Sequence, residues 1–339
     1  MELDPLVLSR IQFAFVVCFH AIFPVFTIGL ASTIAGFETL YFKTENPIWQ
    51  RLSKFWIQVF AVVFGIGVVS GIVMSFQFGT NWSNFSYATA NFLGPVLSYE
   101  VITAFFLEAA FLGVLLFGRE KVPQGVHLFA AIMVATGTFI SSFWILSANS
   151  LLQTPDGLEL IDGIYHVKSW ADALFTASFG YRFTHMALAS FLTAALVVAG
   201  VSAWFILQKR ELEANKKALS VALWFLLFLA PLQTVVGDFH GLNTMKHQPT
   251  KVAAMEGNWE TSTGVPLLLF AIPDKEAQTN HFELKIPKLA SFILTHDWDG
   301  EVPGLKAVPK EEQPPVFVVF WSFRVMLGLG LLMVLFGVW

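Results

Sequence analysis

Residues 97–117 read LSYEVITAFFLEAAFLGVLLF, a stretch apolar enough to cross a bilayer yet carrying two carboxylic acids, Glu100 and Glu108. About 20 such residues span the hydrocarbon core as an α-helix. The stretch therefore points to an all-α integral membrane protein. A carboxylate at membrane depth is costly, and ionisable residues within spans usually mark ion pathways, proton relays or counter-ions. On a regular helix two groups eight residues apart fall about 80° from each other and roughly 12 Å along the axis. That placement suits a proton-conducting row better than a metal cage. The plain alternative is a protonated Glu bonded to a neighbouring helix.

Composition agrees with this class. Of 339 residues, 55% are hydrophobic and only 13% charged, against roughly 25% charged in a soluble domain; the mean hydropathy is +0.65. Further long apolar runs lie near 13–40, 55–75, 126–148, 184–207, 218–236 and 315–339. With 97–117 they make seven spans, a polytopic transmembrane helix bundle. The first run is too long for a removable signal peptide, carries His20, and lacks a basic n-region and a small-residue cleavage site.

Lys and Arg collect in the loops on the cytoplasmic side of a membrane protein. Here Lys43, Arg51 and Lys54 follow the first span, Arg119 and Lys121 the third, and Lys209, Arg210, Lys216 and Lys217 the fifth. Residues 76–96 have no basic residue, and 149–183 only Lys168 and Arg182. The N-terminus and the segment 237–314 are thus expected outside the cytoplasm. The chain divides accordingly into spans one to six (1–236), one long extracytoplasmic loop (237–314) and span seven (315–339). Residues 238–314 hold 18 of the 44 charged side chains. Frequent prolines cut this loop into short pieces, and Trp259 and Trp298 give it something to pack.

Cys18 is the only cysteine. That excludes an internal disulfide, a thiolate zinc site and covalent haem attachment. A net charge of −4, with no basic stripe and no phosphate-binding glycine motif, removes support for nucleotide or nucleic-acid roles. Any haem would need His, Met or carboxylate ligands. Three of the eight histidines fall within spans: His20, His127 and His185. His127 lies at the inner end of span four, where interfacial placement explains it. For His20 and His185 a satisfied polar contact is as good a reading as ligation, and Met326 alone reads as packing. His185 and Met326 share a depth toward the outer face, which favours a His/Met haem there, and Arg324 could pair with a propionate of it.

Several stretches then carry a family resemblance: LSRIQFAFVVCFHAIFP (8–24), MSFQFGTNWS (74–83), SYEVITAFFLE (98–108), SSFWILSANS (141–150), FTHMALAS (183–190), HQPTKVAAMEGNWE (247–260) and FRVM (323–326). In this order they resemble subunit I of the cytochrome bd family of quinol oxidases. The wording GDFHGLNTMKHQPTK (237–251), in a loop without a long insertion, is similar to the short-loop, cyanide-insensitive branch. The resemblance implies a copper-free respiratory terminal oxidase in the bacterial cytoplasmic (inner) membrane. Such an enzyme oxidises ubiquinol or menaquinol at the outer face and reduces O2 to water with protons taken from the cytoplasm.

By that resemblance His20 corresponds to the axial ligand of a high-spin haem, and His185 with Met326 to the ligands of the low-spin b haem. Lys251 and Glu256 match the quinol-binding positions, for which a solvated charged face is the plain alternative. Glu100, Glu108 and Ser141 match a proton path. Implied cofactors are low-spin and high-spin haem b plus haem d or a substituting haem b. Implied partners are subunit II and a small single-span subunit. The family has nine spans, and the remaining two, with a G-R-x-x-W-like motif and a further haem ligand, are expected beyond Trp339, so the sequence reads as incomplete. The competing classes are a proton-coupled secondary transporter, which calls for inverted repeats not evident here, and an electron-transfer b-type cytochrome anchor, which would not need Glu100 and Glu108.

Overall fold

A computed structural model describes residues 4–338, and seven helices in it are long and apolar enough to cross a membrane. The chain divides into two compact units, residues 1–229 and 230–339. In the first unit α1 (Pro5–Thr44) and α2 (Pro47–Gly79) are joined by a two-residue turn. The sequence dictates this turn: Glu45 adopts a left-handed conformation, Asn46 caps α2 by accepting from the Ile48 N–H, and Pro47 takes the first helical position. The third span is composite, α3 (Ser83–Glu100), a π-helical turn (Val101–Phe105) and α4 (Phe106–Phe117). There follow α5 (Gln124–Gln153), the hairpin β1 (Leu158–Ile161) and β2 (Ile164–Val167), the short α6 (Trp170–Leu174), and α7 (Phe179–Leu207). Helix α8 (Leu212–His247) runs on into the second unit.

The helices outrun the spans expected from hydropathy. Residues 76–96, read as a loop, are helical apart from a turn at 80–82, and α8 continues through residues read as the start of the outer loop. Hydropathy detects the thickness of the hydrocarbon core, whereas α1 at 40 residues is about 60 Å long.

In the second unit, α9 (Pro249–Glu256) precedes two small antiparallel pairs, β3 (Ser262–Thr263) with β6 (Glu301–Val302) and β4 (Leu267–Asp274) with β5 (Thr279–Ile286). Between them lies α10 (Leu289–Thr295), and α11 (Val316–Val338) closes the described chain. Trp339, the end of the seventh expected span, lies outside the described residues. The β4–β5 turn is held by Asp274, whose carboxylate accepts from the N–H groups of Ala277 and Glu276. Those backbone bonds, Ala277 first, hold its carboxyl below the usual range. Ala253, Ala254, Trp259, Leu305 and Val316 pack as one buried cluster, anchoring α9 to α11.

Candidate functional site

The carboxyl row in the first unit is shaped by the π turn. The Phe106 N–H bonds the Val101 carbonyl, five residues back. Such a turn takes in about one extra residue. Eight residues then make about two full turns, and Glu100 and Glu108 come onto one face instead of the neighbouring faces expected of a regular helix. Both meet the same stripe of α5. The Ser141 hydroxyl donates to Glu100 Oε1 at 2.7 Å, and Gly137, one turn away, packs so closely on Glu108 that a Cβ there would meet its Cγ. Glu108 is 6% exposed. Within the π turn, Thr103 Oγ1 accepts from Trp144 Nε1 at 2.9 Å, fixing the turn to α5 a second time.

His20 stands on α1 against α2. Its Nδ1 is 2.9 Å from Ser70 Oγ, and the Ser70 hydroxyl donates its single proton to the Gly67 carbonyl. Ser70 can therefore only accept from His20, so the ring carries its proton on Nδ1 and keeps a lone pair on Nε2. That is the tautomer a metal takes, with the second nitrogen held by a protein acceptor. Gly71 lets the ring lie against α2, since a Cβ there would sit 3.2 Å from His20 Cε1. His20 thus fits an axial haem ligand. His185, on α7, is half-buried, and it belongs to the first unit while Met326 belongs to the second. Met326 is 52% exposed on α11.

In the second unit Glu256 is buried, against the plain reading of a solvated charge. Its Oε2 accepts from Arg324 Nη2 at 2.7 Å, and Arg324 Nε donates to the Leu268 carbonyl. The guanidinium lies 4.7 Å from the Phe320 ring centre and 5.4 Å from that of Phe323. Among the described residues its remaining Nη1 is buried with no partner, a donor whose chemistry fits an anionic oxygen such as a propionate. Lys251 sits five residues before Glu256, about 140° around α9, with Nζ 3.5 Å from Gln248 Oε1.

One buried group was not singled out from the sequence. Glu38, inside the first apolar run, is bonded by Ser53, Arg119 and His127. His127 is itself 2% exposed, so it is a core residue and not an interfacial one. Glu38 meets the same criterion as Glu100, a carboxyl within a span, and could have been found by it.

The family model described as cytochrome bd terminal oxidase subunit I matches residues 8–339. The chain is 35% identical over 98% of its length to the cytochrome bd ubiquinol oxidase subunit 1 of Bacillus subtilis, spanning 73% of that relative. It is also 35% identical over 92% of its length to the cytochrome bd-II ubiquinol oxidase subunit 1 of Escherichia coli, spanning 61% of it. The solved bd oxidase from Geobacillus thermodenitrificans superposes with a TM-score of 0.89 at 29% identity, covering 99% of this chain and 77% of that one. A helical membrane fold, a carboxyl row within it and a match over nearly the whole chain agree: the chain belongs to the cytochrome bd terminal oxidase subunit I family.

Proposed function

We propose that this chain is the quinol-oxidising, haem-holding subunit of a respiratory terminal oxidase, a quinol:O2 oxidoreductase in the bacterial inner membrane. The observation that carries the reading is the carboxyl row: Glu108 and Glu100 on one face, against Ser141 on α5. A single-face row is what proton delivery along a helix needs, and an electron-transfer anchor has no use for it. The distribution of Lys and Arg supports a Glu108 end nearer the cytoplasm. Protons then pass from Glu108 to Glu100 and Ser141, toward the half of the bundle that holds His20.

On the other side, Lys251 and Glu256 bind quinol and release its protons outside. Glu256 accepts a quinol hydroxyl proton while Arg324 keeps its other carboxylate oxygen paired. Taking protons from one side and releasing them on the other separates charge without a pump. His20 would hold a high-spin haem, His185 and Met326 would ligate a low-spin b haem, and Arg324 would supply a donor for a propionate. Haem supplies one-electron carriage and the binding of O2, and the oxygen site takes haem d or a substituting haem b. Subunit II and a small single-span subunit complete the assembly, with ubiquinol or menaquinol as donor.

The test is Met326→Leu in the assembled enzyme, a swap that conserves volume but offers no ligand. Reduced-minus-oxidised spectra should lose the six-coordinate low-spin band, and quinol-driven O2 consumption should stop. A low-spin band of wild-type shape and intensity would remove Met326 from the site.

A further inference from the structure

The buried cluster at the inner end of the first unit has no part in the relay just described. Glu38 on α1 is 1% exposed. Its Oε1 accepts from the Ser53 hydroxyl on α2 and from Arg119 Nη2 in the turn after α4. Its Oε2 lies 3.2 Å from Nδ1 of His127 on α5, and His127 Nε2 lies 3.1 Å from the Leu115 carbonyl. That carbonyl belongs to the last turn of α4, where helix carbonyls lack intrahelical partners. Both nitrogens of one imidazole thus face acceptors. A neutral ring has a single N–H. The two bonds together require one further proton, carried on Nδ1 or on Oε2, and its loss breaks one of them. Among the described residues no other charged side chain bonds this cluster.

The cluster lies on the seam that carries the carboxyl row. Leu115 and Glu108 are seven residues apart on α4, about two turns, and both are buried. On α5 the buried face runs from His127 through Ala131 and Val134 to Gly137 beside Glu108, and Ser141 beside Glu100 follows. The stretch between the cluster and Glu108 is apolar and about 10 Å long. On α4 and α5, among the described residues, it separates the cluster from Glu108 with no buried polar side chain in between.

We propose that Glu38 and His127 hold one proton at the inner end of the α4–α5 seam and load Glu108 from it, with Arg119 as a positioning residue. The proposal rests on the relay reading of Glu108 and adds its intake. One proton enters the pair from the side of the basic loops. One proton leaves it for Glu108 after Glu108 has passed its own to Glu100, and no electron moves. Arg119 and Ser53 keep Glu38 bonded once the proton has gone, so the carboxylate is never a bare buried charge. The apolar stretch makes the transfer to Glu108 depend on water admitted for the purpose, which would hold protons back until the relay is empty.

The experiment uses the assembled, haem-loaded enzyme in vesicles. His127→Gln keeps a donor for the Leu115 carbonyl but cannot take up an extra proton. The fully reduced enzyme is mixed with O2, the electrogenic phase is timed at several pH values, and haem content is read from difference spectra; Glu108→Gln is run in parallel. The expected result is normal haem content with an electrogenic phase slowed about tenfold or more, and a changed pH profile. A wild-type electrogenic rate in His127→Gln while Glu108→Gln is slow overturns the loading pair alone. Wild-type rates in both variants overturn the relay beneath it. If His127→Gln fails to assemble, the double variant Glu38→Gln with Arg119→Gln, which removes the buried carboxylate and the half-buried guanidinium paired with it together, takes its place and the same comparison decides.

Discussion

Glu256 and Arg324 are 68 positions apart in the chain yet form one buried ion pair, with side chains 8% and 7% exposed. Removing one partner of such a pair leaves the other charge buried and uncompensated, typically at about 3–5 kcal/mol, whereas removing both is far milder. Glu256→Gln should therefore lower the thermal midpoint of the haem-loaded enzyme clearly, and the double variant with Arg324→Gln should recover much of that loss. On the proposed role of Glu256, quinol oxidation should stay impaired in both, because neither keeps a carboxylate at this position. A single variant with the wild-type midpoint would mean that the pair is not dry. The sequence made both residues candidates but gave no sign that they bind each other. An ion pair between segments this far apart leaves no periodic trace, and a lone charge near a helix end reads as solvated by default.

At the scale of elements, the spans were legible because hydrophobic length answers directly to bilayer thickness. What was hidden is the phase of the third span. Nothing in VITAF (101–105) signals a π turn: it contains no Pro or Gly and reads as ordinary apolar helix. Yet that turn puts Glu100 and Glu108 on one face, and the same contact with α5 makes Gly137 sensitive. Gly137→Ala adds a single methyl where the Glu108 Cγ already sits. Since neither helix backbone can easily give, Glu108 must move. We expect O2 reduction to slow at a step after O2 binding, with haem content unchanged, and Ala→Gly reversion to restore it. Turnover at the wild-type rate in Gly137→Ala would show that the position of Glu108 does not limit the reaction. His127 is hidden for a related reason: a His at a span end looks interfacial until the helices around it are assembled, and here they bring Glu38 and Leu115 to its two nitrogens.

For the whole molecule, the direction of proton movement follows from orientation, and the orientation rests on the basic loops. Nine Lys and Arg residues lie between the apolar runs of spans one and two, three and four, and five and six, in the turns or on the adjoining helix ends, which predicts those ends inside and the β4–β5 region outside. Two of these residues are also tied into the fold, Arg51 on α2 to Glu211 just before α8, and Arg119 to Glu38. The exposed tie adds little stability, so the charges there bear mainly on topology. Labelling tests this directly. In a Cys18→Ser background, needed because Cys18 is exposed, Lys209→Cys reports the connection between α7 and α8 and Glu311→Cys the segment before α11. Both positions are exposed. A membrane-impermeant maleimide should label Glu311→Cys in intact spheroplasts and Lys209→Cys only after permeabilisation. The reverse pattern would place Glu108, Glu38 and His127 nearer the outside, and the proposed uptake of protons from the cytoplasm would fail while the fold and the family stood.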